Sequence, residues 1–385
     1  MEALNTESVL VRFGEIGSKK GHVRSEMSEM LRARVEEKLE SLDLSYSKVS
    51  RIQGRIIIRE VQNAEKIAEI ISWLPGVSST SPCVTKGVDK DDFFSTIRDI
   101  ELSNCSFGVR CNVSTDKFSG SGLEEEIGSM VLEENEGLSV DLDDPDVWVN
   151  VEVREIESFV FVETIEGVDG LPVGSQDKLG MCLSGGIDSP VAAFLTMKWG
   201  SNIYPIYFYN KPLSAEDHKL RLEEVINKLE EFHPGKDWSY ILVDFEKIND
   251  ILLNQVNRGR MVIHRILMFK VAEKICEQIG LDGFVTGESV GQKSSQTVSN
   301  LCFTSSKINS TIFRPLTGYN KNEVIDLAKD IGTFDLSTVD SACRSLSPEK
   351  PLTKAPKYEY EEFCKDHDVE ELVRSAVEKS KVVDI

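Results

Sequence analysis

The apolar positions change period along the chain, and each change predicts an element. VLVRFGEI (9–16) reads as a strand. Met27, Leu31, Val35, Leu39 and Leu42 then recur at helical spacing. VSRIQGRIIIRE (49–60) reads as a hairpin turning at Gly54. AEKIAEIISWL (64–74) reads as a second amphipathic helix, ended by Pro75-Gly76. Together these predict a small α+β unit. A second one follows. DDFFSTIRDI (91–100) is a helix, FGVRCNVS (107–114) a strand, and SGSGLEEEIGSMVLEE (119–134) a helix with acids in its first turn, where the dipole favours them. Val147, Val149, Val151 and Val153 alternate with other residues, which predicts a half-buried strand with ESFVFVETI (157–165) as its hairpin partner.

GVDGLPVGSQ (167–176) reads as a linker. Beyond it the rhythm changes again. The strand-like runs LGMCLS, NIYPIYFY, YILVDF and GFVTGE alternate with helix-like runs, which predicts a doubly wound parallel α/β sheet. The expected boundaries are 1–76, 77–166 and 167–385.

Composition narrows the class. The chain has 385 residues, enough for three domains, and 40% hydrophobic content. No apolar run reaches membrane-span length, and the N-terminus lacks a signal-peptide layout, so a cytoplasmic location without membrane contact is expected. The net charge of -21 argues against a nonspecific nucleic-acid binder and leaves room for a local basic face. The cysteines are Cys83, Cys105, Cys111, Cys182, Cys276, Cys302, Cys343 and Cys364. None forms a C-x-x-C pair or has zinc spacing, so free thiols and no metal ligands are expected.

The most informative stretch is MCLSGGIDSP (181–190). Met181, Cys182 and Leu183 read as the end of a buried strand. Ser184, Gly185, Gly186, Asp188 and Ser189 follow, and a helix begins there. A Gly-Gly turn feeding a helix N-terminus gathers amide N–H groups that bind phosphate. No lysine follows, so this is not the common ATPase loop. Asp188 beside phosphates suggests a Mg²⁺ ligand or a group that orients pyrophosphate. The stretch resembles the PP-loop of the ATP pyrophosphatases.

The resemblance widens to the tRNA 4-thiouridine synthetases, also called thiamine-biosynthesis sulfurtransferases. It is carried by LVRFGEIGSKKGHVR (10–24), DLDDPDVWVNVEVRE (141–155), GLPVGS (170–175), RILMFKVAEKI (265–275), VTGESVGQKSSQT (285–297) and RPLTGYNKNEVIDLAKDIGT (314–333). It implies a ferredoxin-like domain, a THUMP domain and a PP-loop catalytic domain. It also implies an enzyme that uses ATP and Mg²⁺ to adenylate O4 of uridine 8 in tRNA and replaces that oxygen with sulfur. The family further serves thiamine thiazole synthesis. By resemblance, Cys182, Leu183, Tyr207, Phe208, Arg265, Gly287 and Gln296 join the phosphate loop in binding ATP. Lys321 and Asp188 steady pyrophosphate, and Cys343 carries sulfur. The residues agree in kind: two aromatics to stack on adenine, a lone Arg on an apolar helix, a lysine as a point charge, and a thiol beside Arg344 in a stretch without apolar periodicity.

Two departures limit the carry-over. VNRGRMVIHR (256–265) lacks the cysteine pair that some members use, so no iron–sulfur cluster is expected. No rhodanese segment is present either, which leaves the sulfur on Cys343, on another of the cysteines or on an external donor. A cysteine desulfurase or sulfide would supply it. For tRNA contact, the expected residues are Lys19, Lys20, Arg24, Arg32, Arg51 and Arg55, with only Arg110 and Lys117 in the second unit. A homodimer is compatible with the sequence. The competing expectations are a PP-loop enzyme with a sulfur-carrier protein as acceptor, and a tRNA-binding module without catalysis.

Overall fold

The computed structural model describes residues 4–209, 216–235, 238–337 and 352–385. The chain divides into two compact units, Met1–Pro172 and Val173–Ile385.

The first unit runs β1 (Ser8–Arg12), α1 (Glu15–Ser18), α2 (Gly21–Ser41), β2 (Lys48–Ile52), β3 (Arg55–Arg59), α3 (Ala64–Ser72), β4 (Ser79–Lys86), α4 (Lys90–Arg98), β5 (Ser106–Val113), α5 (Gly120–Glu134), β6 (Ser139–Val140), β7 (Val147–Val153), β8 (Ser158–Phe161) and β9 (Ile165–Glu166). Its strands form one sheet in the order β2-β3-β1-β4-β8-β7-β5-β6, with β9 also on β4. The unmarked strand β4 makes this continuity. Ser79–Cys83 pair antiparallel with β1, and Val84–Lys86 pair antiparallel with β8. Helices α2 and α3 cover the β1 side with Leu31, Val35, Leu39, Ile67 and Ile71, while Leu123, Ile127 and Val131 of α5 cover the β5–β7 side. A third small core, Leu10, Ile57, Cys83, Phe159 and Phe161, lies where the halves meet. Burial on both faces explains the unbroken apolar run of β3. The β2–β3 hairpin turns at Gly54, whose φ of +80° favours glycine.

Several expectations shift here. The first strand stops at Arg12, and Glu15–Ser18 wind into a helical turn. Helix α5 starts at Gly120, so its acids fall just past the first turn. Glu152, on the expected wet face of β7, is buried.

The second unit opens within β10 (Leu171–Leu183), so more than half of the expected linker is strand. Then come α6 (Asp188–Lys198), β11 (Trp199–Tyr209), α7 (Glu216–Glu230), β12 (Ser239–Asp244), α8 (Glu246–Gln255), α9 (Arg260–Ile279), β13 (Gly283–Thr286), α10 (Val298–Ser305), β14 (Thr311–Phe313), α11 (Lys321–Asp330), α12 (Phe334–Ser337), two further helices (Lys357–Asp366 and Val369–Glu378) and β15 (Lys381–Asp384). The sheet order is β14-β13-β10-β11-β12-β15. β13 pairs parallel with both β10 and β14, and β12 parallel with β11; β15 closes the edge antiparallel. Strand order reverses about β10, which places a topological switch point between β10 and β13. Helix α6 is buried from Ser189 to Met197, as a helix apolar all round must be. Among the described residues no helix is long and apolar enough to cross a membrane.

Candidate active site

The loops after β10 and β13 meet at that switch point. Leu183 ends β10, and Ser184–Ile187 lead into α6 at Asp188. Two serines close the loop on itself. Ser184 N donates to Ser189 Oγ at 2.9 Å, Ser189 Oγ donates to the Ser184 carbonyl at 3.0 Å, and the two hydroxyls lie 3.1 Å apart. The Gly185 and Ile187 amides meet no protein acceptor among the described residues. A Cβ at Gly185 would have nothing within 4 Å. The loop therefore offers unpaired donors and open space at a helix N-terminus, which fits a phosphate. Gly287, one residue past β13, is held against this turn. A Cβ there would stand 2.7 Å from Ser189 N, so only glycine fits.

Charge collects around Asp188. Burial raises its carboxyl above the ordinary value, and the charges of Lys293, Lys321 and Arg265 oppose that rise. Lys321 is the first residue of α11, after the Asn320 capping box. A cation at the positive end of a helix is locally unfavourable unless an anion binds there. Arg265, on α9, is ion-paired with Glu288, and Glu288 also accepts from Arg314 Nε at 2.8 Å. Arg265, Arg314, Lys293 and Lys321 against Asp188 and Glu288 leave a formal charge of about +2. Sequence reading missed Glu288, Lys293 and Arg314. The signal was present, since VTGESVGQKSSQT and RPLTGYNKNEVI contain all three.

The remaining expected residues divide. Gln296 is 2% exposed, and its Oε1 has no partner, a buried acceptor without a donor. Tyr207 and Phe208 are buried in β11. The Phe208 ring packs edge-on against Phe245 at 5.2 Å in the main core, so it cannot stack on a base without leaving that core. Cys182 is core, with its thiol pushed well above the ordinary value by burial beside Cys276, which is itself raised to about 11. Burial pushes Cys83 and Cys111 to about 12. These four thiols are poor nucleophiles. Cys302 and Cys364 are exposed, and Cys343 with Arg344 lies outside the described residues. No group of three His, Cys, Asp or Glu that would hold a metal occurs among the described residues.

In the first unit, several expected RNA contacts are committed elsewhere. Arg55 donates to Glu152, which also takes Arg12 and Arg154. Arg32 pairs with Glu29 and Glu36, and Arg51 with Glu29. Lys19, Lys20, Arg24 and Lys117 make no ion pair among the described residues. Arg110 lies 3.5 Å over the Trp148 ring on the wall of a groove of about 1220 Å³. Glu65, Asp146, Glu163 and Glu166 line the same groove, so it is not a phosphate channel.

Residues 174–369 match the family model described as thiamine biosynthesis protein (ThiI), 8–81 the ThiI ferredoxin-like domain, and 84–163 the THUMP domain. A probable tRNA sulfurtransferase of Halobacterium salinarum is 35% identical over 91% of each chain. One from Thermococcus kodakarensis is 32% identical over 93% of this chain and 95% of its own. The chain belongs to the ThiI family of tRNA sulfurtransferases. The crystal structure of a 4-thiouridine synthetase–RNA complex with bound ATP superposes with a TM-score of 0.87, at 28% identity, covering 99% of this chain and 100% of that one. A Pyrococcus horikoshii protein shares the fold (TM-score 0.66, 20% identity). In this ThiI-family chain the family models follow one another in the expected order, and the ThiI model spans both loops of the candidate site.

Proposed function

We propose that this chain is an ATP-dependent tRNA sulfurtransferase that converts uridine 8 to 4-thiouridine. One observation carries the reading: an empty-sided Gly-Gly turn beside a half-buried carboxylate, Asp188, on which the charges of Lys293, Lys321 and Arg265 all act. Such a site suits the triphosphate of ATP with its metal. Kinship to a 4-thiouridine synthetase crystallised with RNA and ATP supports the substrates.

The unpaired amides of Gly185 and Ile187 bind phosphate oxygens. Lys321, Lys293 and Arg265 stabilise charge that grows as uridine O4 attacks the α-phosphate and pyrophosphate leaves. Asp188 would hold a Mg²⁺ ion together with phosphate oxygens, and the ion would supply positive charge against the leaving pyrophosphate. O4 is now part of AMP, a good leaving group. The terminal sulfur of a persulfide on Cys343 attacks C4 and displaces AMP. A second thiol then takes the Cys343 sulfur as a disulfide and frees the thiolated base. Sulfide attacking the Cys343 sulfur of that disulfide expels the second thiol and leaves a persulfide on Cys343; alternatively a thiol reductant reopens the disulfide, and the Cys343 thiolate then takes the outer sulfur of a desulfurase persulfide. Gln296, with its unpaired Oε1, reads the nucleotide. We assign three working parts, 1–76, 77–166 and 167–385, the first two presenting tRNA through Lys19, Lys20, Arg24 and Lys117 in the cytoplasm. The same persulfide chemistry would serve thiazole synthesis with a protein acceptor, in keeping with the family's name.

The test is to incubate the protein with unmodified tRNA transcript, ATP, Mg²⁺ and a desulfurase with cysteine, then digest the RNA and read 4-thiouridine by mass spectrometry. Product is expected from the wild type and none from Cys343→Ala. Equal product from both would move the sulfur off Cys343. No adenylated tRNA in either would sink the reading.

A further inference from the structure

Arg265 and Arg314 reach one buried carboxylate from different elements. Arg265 comes from α9, and Arg314 follows β14. Arg265 Nη1 donates to Glu288 Oε1. Arg314 Nε donates to Oε2 at 2.8 Å, and its Nη2 to Ser305 Oγ at 3.0 Å. The Glu288 amide donates to Thr286 Oγ1 at 3.0 Å, and the preceding Gly287 abuts Ser189 of the phosphate loop. Glu288 is therefore fixed at its backbone and at both oxygens, with its side chain 4% exposed. Two largely buried guanidiniums repel each other without a counter-ion, and this carboxylate is the one they share. It holds Arg265 by one corner only. Arg265 Nε and Nη2 meet no acceptor among the described residues, while its charge acts on Asp188.

We propose that Glu288 is a positioning residue for ATP activation: it anchors Arg265 through Nη1 and leaves the rest of that guanidinium aimed at the phosphates, with Arg314 bracing the carboxylate from the far side. The proposal rests on the adenylation reading above. Its logic makes the sign of one substitution decisive. Glu288→Gln removes a negative charge from a site that binds an anion. If Glu288 acted only as a charge, the variant would bind ATP more tightly and turn over unchanged. If it positions Arg265, the freed guanidinium swings among rotamers, and stabilisation of the transition state falls although the site has grown more positive.

The experiment uses the full chain with tRNA transcript and Mg·ATP, and follows tRNA-dependent pyrophosphate release. KM for ATP and kcat are compared for wild type, Glu288→Gln, Glu288→Asp and Arg314→Lys. For Glu288→Gln, kcat is expected to fall about 10- to 100-fold with KM within about threefold. Glu288→Asp, which keeps the charge, recovers part of kcat. Should Glu288→Gln fail to fold, Arg314→Lys decides. It keeps the charge and loses the fork, so a drop in kcat at steady KM supports the proposal, and an unchanged kcat overturns it. A Glu288→Gln enzyme with wild-type kcat and a lower KM overturns it directly. A wild type that releases no pyrophosphate overturns the adenylation reading as well, which separates the two failures.

Discussion

Two buried glutamates, one in each unit, face the same problem and solve it differently. Glu152 of β7 gathers Arg12 at 2.9 Å, Arg55 at 3.1 Å and Arg154 at 2.5 Å. Arg12 also donates to Ser81 Oγ at 3.0 Å and lies over Phe161, and Arg154 donates to Ser114 Oγ at 2.7 Å. The cluster is nearly closed: each arginine has a further protein partner, Arg55 through the Gly54 carbonyl, although Arg154 Nε is buried without one. Glu288 holds two guanidiniums and leaves most of Arg265 uncommitted. A closed cluster serves the fold, whereas an open one keeps donors for something that arrives later.

The largest expected difference lies in stability. Glu152→Gln leaves three guanidiniums around a neutral amide and should cost about 3–5 kcal/mol in chemical denaturation of the first unit. A loss under about 1 kcal/mol would break the comparison. The same cluster has an acid signature. Burial raises the Glu152 carboxyl, but Arg12, Arg55 and Arg154 outweigh it and bring the group from 4.5 to about 2. A depressed acid stabilises the fold above its unfolded value, and that share is lost as pH falls from about 4.5 towards 2. The denaturation profile of Glu152→Gln should be flatter across that window by one proton.

The open cluster should behave in the opposite way. Arg265→Met is expected to lower pyrophosphate release about 100-fold while the melting temperature stays within a few degrees, because Arg314 still pairs the Glu288 charge through Oε2. A matching collapse of stability would place Arg265 with the closed type. The smallest effect belongs to surface cations without carboxylate partners. Lys20→Ala and Arg24→Ala should each weaken tRNA binding modestly and lower the salt slope by about one. Arg32→Ala, already paired to Glu29 and Glu36, should change that slope less. Equal slopes would show that pairing does not withdraw an arginine from RNA.

This contrast also marks what the sequence made legible. SGGIDS, its strand and its helix were readable because glycines, a carboxylate and a period change sit within ten residues. Arg265 stood out as a charge on an apolar helix. Glu288 and Arg314 did not, since their meaning comes from a contact across 26 positions. Glu152 was misread for a related reason. An alternating strand places it on the polar face, and only arginines brought from β1 and β3 turn that face into an interior. Phe208 looked like a base platform because position along a strand does not say which face is filled. β4 escaped notice because STSPCVTK carries Pro82 and hydroxyl residues in place of an apolar run. Yet Pro82 sits opposite Val9 in the middle of a sheet.

That strand bears on how the N-terminal half can be cut. The ferredoxin-like match ends at residue 81 and the THUMP match begins at 84, so the divide falls inside β4. A gene fragment ending there would keep Ser79–Ser81 on β1 but lose Pro82 and Cys83, the partners of Val9 and Ser8, and would leave Leu10 and Ile57 without Phe159 and Phe161. A fragment beginning at 84 would leave Phe159 and Phe161 without Leu10, Ile57 and Cys83. Exchange of this half between relatives should therefore move residues 4–166 together, because the two recognisable modules share a single piece of backbone and neither half is a complete inheritance without it.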